Sequence, residues 1–492
     1  MMNYLNFDLE AFDHKQTETA DHFSVRVAFS PAGEQRIVKA DKVKMPMQVR
    51  QRIGALQRRQ LSLAEIIALG EELGRALFPP SVRSFFTASL SRVRSDDEGL
   101  RIRLKLDTYG LAELPWEYAY LPSPDVSSQR RGPEGFLALN RRVSLVRYES
   151  QEGALVPIDA GVSPLRLVAL LASPDDPDYE KLDVAKERQS IEQAVADLSA
   201  IHPDFYSDAT ADTLLDALVK PAHIFHFAGH GEFKGDMGDR YGSQEGAGAV
   251  ILLDDNRHAV PFSAQKLAMS LTGRGVRLAV LTACEVGQRD AASAWAGVVT
   301  ALTHAGIPAV VGMQFRIRDT NATAFSRAFY RALAAGQPID AAVADGRFAI
   351  FNRGDDKERD WGVPVLYLRA VDGVLFPQGG KPAVPDASAL QEIAFRPKGI
   401  ASKPTGRQPA TVDKRTLGDA MIRAFSTADL EILCSDVEAN LARDGTELQV
   451  NLDMVGGGNK PLQVLNLIEY LDHRGHLGYL VDAVREARPG II

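Results

Sequence analysis

The sequence predicts an α/β protein: a mainly parallel sheet flanked by helices, preceded by a mixed α+β unit and followed by a small all-helical domain. Three observations carry that expectation. Between Pro164 and Ala370, apolar runs such as "LRLVALLAS", "AHIFHFAG", "AGAVILL", "VRLAVLTAC" and "IPAVVGM" alternate with amphipathic stretches such as "VAKERQSIEQAVADLSA" and "NATAFSRAFYRALAAG". Strands that are apolar on both faces and separated by helices belong to a parallel sheet covered on both sides. Residues 377–413 hold six prolines and four glycines and read as an extended linker. Beyond the linker only helical periodicity remains. The expected division is therefore 1–160, 161–376, 377–413 and 414–492.

In the first region, "FSVRVAF" and "GLRIRLKL" alternate apolar and polar residues, the period of a half-buried strand. Between them Ser62 and Glu65 form a capping box, followed by Ile66, Leu69, Leu73 and Leu77 at helical spacing, with Pro79 and Pro80 as the stop. "LPWEYAYLP" and "GFLALNRRVSLVRY" complete this unit. In the last region Ser426 and Asp429 form a second capping box. Leu430, Leu433, Cys434, Val437 and Leu441 make one apolar stripe, and Val464, Leu467, Ile468 and Leu471 make another. Leu477, Leu480, Val481 and Val484 lie behind them. "VGGGN", Val455 to Asn459, reads as a loop: no strand precedes it and no Lys-Ser/Thr pair follows, so it is not a phosphate cradle.

Composition narrows the function classes. The chain has 492 residues and a formal net charge of -8, which argues against a broad electrostatic grip on nucleic acid. No apolar run approaches the ~18 residues of a membrane span, and the acidic start does not resemble a signal peptide. The only cysteines are Cys284 and Cys434, too few for a disulfide framework and consistent with a reducing cytoplasm, where the protein is expected. No cofactor is expected. "LLASPDDPD" after the first strand is acidic where a nucleotide-binding domain would carry a glycine-rich phosphate loop.

The reactive candidates sit at strand ends. In "HIFHFAGHGEF", His230 lies between two glycines just past one apolar run; in "VRLAVLTACEVG", Cys284 lies just past another, near Gly287. In open α/β sheets ligands gather at the carboxyl ends of strands. If these strands are neighbours their ends lie ~4.8 Å apart. His230 could then take the thiol proton and stabilise the thiolate. The Gly231 and Cys284 amides could hold an oxyanion. The alternative for each is plain packing, since a free cysteine is often a small buried hydrophobe and a lone histidine often a satisfied core residue. Cys434, in the middle of a helical stripe, reads as core. His223, His226 and His230 do not make a metal site: His223 and His226 fall on opposite faces of a strand, and no acidic cluster completes a ligand set. His226 is expected to pack or hydrogen bond beneath the site. The loop "GEFKGDMGDRYGSQEGAGA" reads either as a surface connection or as a segment that closes over substrate.

The two motifs, about fifty residues apart and in this order, resemble those of the CHAT family of caspase-like cysteine peptidases. "LPWEYAYLP…GFLALNRRVSLVRY", "LRLVALLASPDD" with "AKERQSIEQAV", and "GVVTALTHAGIPAVVGMQFRIRDTNATAFSRAFYRAL" extend the likeness over residues 100–370. The resemblance implies a caspase-like sheet and a dyad with Cys284 as nucleophile and His230 as base and then acid. The Gly231 and Cys284 amides would form the oxyanion hole, and peptide bonds would be hydrolysed without a metal. Family members often carry a Trp after the strand corresponding to "AVVGM"; here Gln314 and Phe315 occupy the place, and Asp319 matches an acidic position. Gln314, Phe315, Arg316 and Asp319 are thus candidate substrate-binding residues. Asp319 would favour a basic P1 side chain, and Arg316 or Arg318 an acidic one.

The segment 414–492 resembles an effector-associated, death-like adaptor module of bacterial conflict systems, which implies a partner protein bearing a matching module. The expected protein is a cytosolic peptidase of a defence pathway. It acts on a protein substrate and is recruited through its C-terminal domain, without nucleic acid or membrane as partners. The alternative is a catalytically silent caspase-like platform for protein interactions.

Overall fold

The computed structural model describes residues 2–32, 40–122, 132–148, 164–179, 181–234, 247–283, 291–354, 359–370, 372–376, 414–443, 450, 452, 460–472 and 476–488. Cys284, Gly287, most of the loop after His230 (235–246), the linker 377–413 and the glycine run 455–459 lie outside them. The chain divides into two compact units, Met1–Gln391 and Glu392–Ile492.

The first unit opens with β1 (Asn3–Gln16), β2 (Ala20–Phe29), β3 (Asp41–Pro46), α1 (Gln48–Gln57), α2 (Leu63–Leu77), α3 (Pro80–Leu90), β4 (Glu98–Leu106), the single turn α4 (Tyr109–Ala112) and β5 (Val143–Arg147). It continues with β6 (Leu165–Leu171), α5 (Val184–Val195), β7 (Ile201–Tyr206), α6 (Ala211–Ala217), β8 (Ile224–Gly229), β9 (Gly231–Lys234), β10 (Ala247–Leu253), β11 (Ala259–Ser263), α7 (Ala264–Leu271) and β12 (Leu278–Ala283). It closes with α8 (Ala291–His304), β13 (Ala309–Met313), α9 (Asp319–Ala334), α10 (Ile339–Phe351) and β14 (Pro364–Leu368).

Among the described residues these strands form an 11-stranded sheet, in the order β3-β2-β1-β4-β5-β14-β13-β12-β8-β6-β7, and a small sheet β11-β10-β9. Neighbours in the large sheet are parallel except at β3–β2, β2–β1 and β14–β13. The fold is the expected α/β class, with a mainly parallel sheet flanked by helices. The strands of residues 1–160 share this sheet with those of 161–376. The joint is β14, which returns antiparallel to β13 and sets its Tyr367 against Arg147 of β5. A buried bidentate ion pair crosses the same boundary, from Arg101 of β4 to Asp340 of α10 at 2.7 and 3.2 Å.

Alternation along the central strands builds a core on each face. Ile224 and Ala228 of β8, Leu278 and Val280 of β12, and Ala309 and Val311 of β13 pack with Ile191 of α5 and Phe325 and Phe329 of α9. Phe225, Phe227, Ala279, Leu281 and Val310 pack on the other face with Leu214 of α6, Leu267 of α7 and Val298 of α8. The strands are apolar throughout because both faces are covered.

Two N-terminal details depart from the sequence expectation. Pro79 and Pro80 do end α2, but Pro80 also opens α3, since a first-turn residue needs no N–H partner. Asn3–Gln16 is a long strand rather than an unassigned start, with Phe7, Leu9 and Ala11 alternating into the core. The capping box is as expected: the Ser62 side chain accepts from the Glu65 N–H, and the Ser62 N–H donates to the Glu65 carboxylate at 2.8 Å.

The second unit contains α11 (Lys414–Ala424), α12 (Thr427–Arg443), α13 (Lys460–Asp472) and α14 (Leu477–Ala487). Its core gathers the predicted stripes: Leu430, Leu433, Cys434, Val437 and Leu441 with Val464, Leu467, Ile468, Leu471, Leu480, Val481 and Val484. The Ser426 N–H donates to Asp429 at 2.8 Å, closing the second capping box. No described helix is long and apolar enough to cross a membrane.

One helix packs against backbone rather than side chains. Gly70 and Gly74 of α2 face the segment Tyr118–Tyr120, where the Tyr120 N–H donates to the Gly70 carbonyl at 2.9 Å. A Cβ at position 74 would stand 2.2 Å from the Tyr120 carbonyl oxygen. Alanine in a helix normally stabilises by ~1 kcal/mol over glycine. Here Gly74→Ala is expected to destabilise by roughly 2–3 kcal/mol, because neither backbone can move aside. Chemical denaturation of the two proteins checks this; an unchanged or higher midpoint would contradict the close approach.

Candidate active site

β8 lies between β6 and β12, parallel to both, and its pairing with β12 ends with Gly229 opposite Ala283. His230 follows one partner in the chain and Cys284 follows the other. The two motifs therefore stand on adjacent strands at the same edge of the sheet. Cys284 itself lies outside the described residues.

His230 is buried at 6 % exposure. Its carbonyl accepts from the Ile251 N–H at 2.9 Å, which pins the turn from β8 into β9. Its imidazole faces the phenol of Tyr179, with ring centroids 5.3 Å apart and planes tilted by 46°. Gly231 opens β9 opposite Val250 of β10. Because the Ile251 N–H bonds to His230, the Gly231–Val250 pair is of the non-hydrogen-bonded kind. The Gly231 N–H thus points away from β10 and is not part of that ladder.

Tyr179 belongs to the connection from β6 to α5, which is tied down at several points. The Ala172 N–H donates to the Ala228 carbonyl at 2.9 Å, and the Asp175 N–H donates to the Arg257 carbonyl at 2.9 Å. The Arg257 guanidinium bonds the Asp175 carboxylate at 3.2 Å and also reaches Asp208. The Asp176 carboxylate accepts from the Ala259 N–H. Sequence reasoning read "SPDDPDY" only as acidic. Its role in fastening an aromatic residue over His230 depends on contacts with the β10–β11 hairpin, which local pattern does not reveal.

A chain of hydrogen bonds runs beneath the strand tips. His226 is fully buried; its Nδ1 lies 2.7 Å from the Tyr330 hydroxyl of α9, and its Nε2 lies 3.3 Å from Thr282 Oγ1 of β12. Thr282 Oγ1 donates to the Phe227 carbonyl at 3.3 Å. If Thr282 gives its proton to that carbonyl it accepts from His226, which assigns the imidazole as the Nε2–H tautomer with Tyr330 donating to Nδ1. The chain joins α9, β8 and β12 two residues before Cys284. His226 thus hydrogen bonds beneath the strand tips, as the sequence led one to expect. His223 stands apart, its Nδ1 accepting from the Arg166 N–H at 2.8 Å. Among the described residues no cluster of His, Cys, Asp or Glu could hold a metal ion.

The four candidate substrate residues follow β13, whose carboxyl end shares the edge with β8 and β12. Gln314 is turned inward: its Nε2 donates to Glu117 at 3.0 Å and to the Gly362 carbonyl at 2.7 Å. Glu117 is held in turn by Arg147 at 2.9 Å, and both are buried. Phe315 is buried at 6 % exposure, with Tyr118 at 6.4 Å and the Arg359 guanidinium over its face. The Arg316 carbonyl accepts from Arg359 at 2.9 Å, and its side chain is half-buried. Asp319 is exposed at the start of α9 and pairs with Lys186 of α5 at 2.6 Å. Glu187 beside it is half-buried; loss of water, with Asp319 as a nearby like charge, pushes its carboxyl up to about 7 against the pull of Lys186. The other thiol, Cys434, is buried in the helical core, and that burial, with Glu431 and Glu438, pushes its pKa up to about 12.

Burial pushes the His226 imidazole down to about 3. An unfolded chain binds that proton near ~6.5. Below ~6.5 the unfolded state thus takes up a proton that the folded state refuses. This site's contribution to stability falls by ~1.4 kcal/mol per pH unit until the folded value is reached. Nitrogen-15 spectra of the histidine rings are expected to show His226 neutral and protonated on Nε2 from pH 5 to pH 8. An Nδ1–H tautomer, or a titration near neutrality, would break the assigned direction of the chain.

Comparison with known proteins agrees with this organisation in one respect and adds little in another. The model of the CHAT domain matches residues 68–369. No curated protein matches the chain. Among solved structures, the Arg-specific cysteine proteinase gingipain R is similar at 12% identity and a TM-score of 0.36, over 67% of this chain and 76% of that one. The Saccharomyces cerevisiae separase–securin complex is similar at 10% identity and a TM-score of 0.38, over 75% of this chain and only 30% of that one. The Drosophila initiator caspase Dronc is similar at 12% identity and a TM-score of 0.27, over 53% of this chain and 96% of that one. These structural likenesses are too distant to bear on chemistry. The family match spans more than half of the sequence, from α2 to the end of the central sheet, and the chain belongs to the CHAT domain family.

Proposed function

We propose that the chain is a caspase-like cysteine endopeptidase in which Cys284 and His230 form the dyad. The observation that carries this reading is the parallel register of β8 and β12, which ends at Gly229 and Ala283. In this reading His230 and Cys284, the next residues in the chain, would emerge side by side from those two strand ends. In the proposed reaction the His230 imidazole takes the Cys284 proton, and the thiolate attacks the peptide carbonyl carbon. The carbonyl electron pair moves to oxygen, where the Gly231 and Cys284 amides would receive it. The imidazolium then gives its proton to the leaving amine as the C–N bond breaks, leaving a thioester. Water, losing a proton to His230, attacks the thioester, the C–S bond breaks, and the thiol is regenerated.

Support for the oxyanion role is the orientation of Gly231, whose N–H points away from β10. Asp319 and Arg316 would flank the substrate from the β13–α9 connection, while Gln314 and Phe315 would shape that connection from beneath. Asp319 already has Lys186 as a partner, so a basic P1 side chain would compete with a lysine. The helical unit would dock a partner protein bearing a matching module, in a bacterial defence pathway in the cytoplasm.

A peptide-based, thiol-directed inactivator followed by mass spectrometry tests the dyad. One adduct is expected, on Cys284. Cys434 stays unmodified because it is buried and strongly protonated, and Cys284→Ala gives no adduct. His230→Ala should label ~10²–10³-fold more slowly while remaining folded. Equal labelling of both cysteines, or an unchanged rate in His230→Ala, would refute the dyad and leave a silent platform as the better account. A chain ending at residue 413 is expected to label at the wild-type rate but to lose capture of its partner; loss of labelling would tie the helical unit to the chemistry itself.

A further inference from the structure

We infer that Tyr179 is a positioning residue for His230: its phenol ring covers the imidazole, fixes its orientation and stabilises the imidazolium formed when the Cys284 proton moves across. The inference rests on the dyad reading above, but its central measurement does not need activity.

Three observations converge. The ring centroids are 5.3 Å apart, within the ~6 Å over which an aromatic face attracts a cation. The rings are tilted by 46°, between a flat stack and an edge contact. The loop that carries Tyr179 is fastened to the β10–β11 hairpin through Arg257–Asp175 and through Asp176 to the Ala259 N–H, and to β8 through Ala172. A side chain on so anchored a loop, lying over a 6 %-exposed histidine, is a fixed wall of the site.

Charge around the pair points the same way. Partial burial, then Glu232 of β9 and Asp176 and Asp178 of the loop, raise the Tyr179 pKa, so the phenol stays neutral. Arg257 and Lys181 of the same neighbourhood pair with Asp175. From β10 the Ile251 N–H donates to the His230 carbonyl. A neutral aromatic face favours the protonated imidazole over the neutral one. That is the form needed opposite a thiolate.

The test is a proton–carbon NMR titration of the histidine rings in the full-length chain, with His230 assigned by its loss in His230→Gln. Tyr179→Leu removes the aromatic face, and the His230 midpoint is expected to fall by about half a pH unit. Tyr179→Phe keeps the face and should leave the midpoint in place. The low-pH limb of Cys284 alkylation should move with the midpoint in each variant. An unmoved midpoint in Tyr179→Leu overturns the inference while leaving the dyad intact. Wild-type alkylation in His230→Ala overturns the dyad while the titration still reports on Tyr179. If Tyr179→Leu does not fold, the wild-type His230 Cε1 proton decides the matter. A ring-current displacement shared by Tyr179→Phe is expected, and a resonance at the unshifted position sinks the proposal.

Discussion

The arrangement depends on one constraint, the in-register parallel pairing of β8 with β12. Parallel neighbours lie ~4.8 Å apart and run the same way, so whatever follows their last paired residues emerges side by side at one edge. Gly229 and Ala283 are those residues. A one-residue slip would send every side chain of β8 to the opposite face. Phe225 and Phe227 would then exchange cores with His226, and the Tyr330–His226–Thr282 chain could not form. Register, buried polar chain and edge geometry are therefore a single condition. The apolar cores on both faces enforce it.

Two histidines four residues apart meet opposite fates for this reason. His226 is still inside the strand, shielded on the α9 face, with both nitrogens committed and its charge suppressed. His230 has passed the strand end, next to a close-packed Gly229: a Cβ there would meet the Phe227 ring at 2.7 Å and Ala172 at 3.2 Å. One imidazole holds the strands in place as a neutral donor and acceptor. The other stands past the strand end, against Tyr179. Both are buried; what separates them is place, inside the strand for one and past its end for the other.

Much of this was legible from residue pattern. The apolar runs became central strands because burial on both faces leaves no polar alternation, and the capping boxes at Ser62 and Ser426 mark real helix starts. The helical stripes around Cys434 and Val464 pack as drawn. Gly-His-Gly pointed to a strand end because glycine interrupts an otherwise continuous apolar run. What stayed hidden depends on long-range pairing. β14 inserts between β5 and β13 although hundreds of residues separate it from β5, so the sheet is continuous where composition suggested a boundary. Gln314 looked like a substrate contact, yet its amide is engaged by Glu117, and through it by Arg147. No local signal marks either arrangement, since a buried ion pair is made by partners that only the fold brings together.

That buried pair also limits how the substrate edge can behave. Arg147 and Glu117 are both nearly inaccessible, and removing one partner from such a pair strands a charge at a cost of roughly 3–5 kcal/mol. Gln314 is bonded to this pair and to the Gly362 carbonyl, so the first residue after β13 is held as rigidly as the strand itself. Phe315 adds aromatic packing against Tyr118. Freedom to adjust begins only at Arg316 and becomes real at Asp319, whose pairing with Lys186 is solvent-exposed and worth little. On this edge the residues nearest the sheet set shape, and the charged residues farther along can exchange partners. On the reading proposed above, selectivity for charge would come from Arg316 and from Asp319, whose exposed partner Lys186 can be exchanged, rather than from Gln314 and Phe315, which are held from beneath.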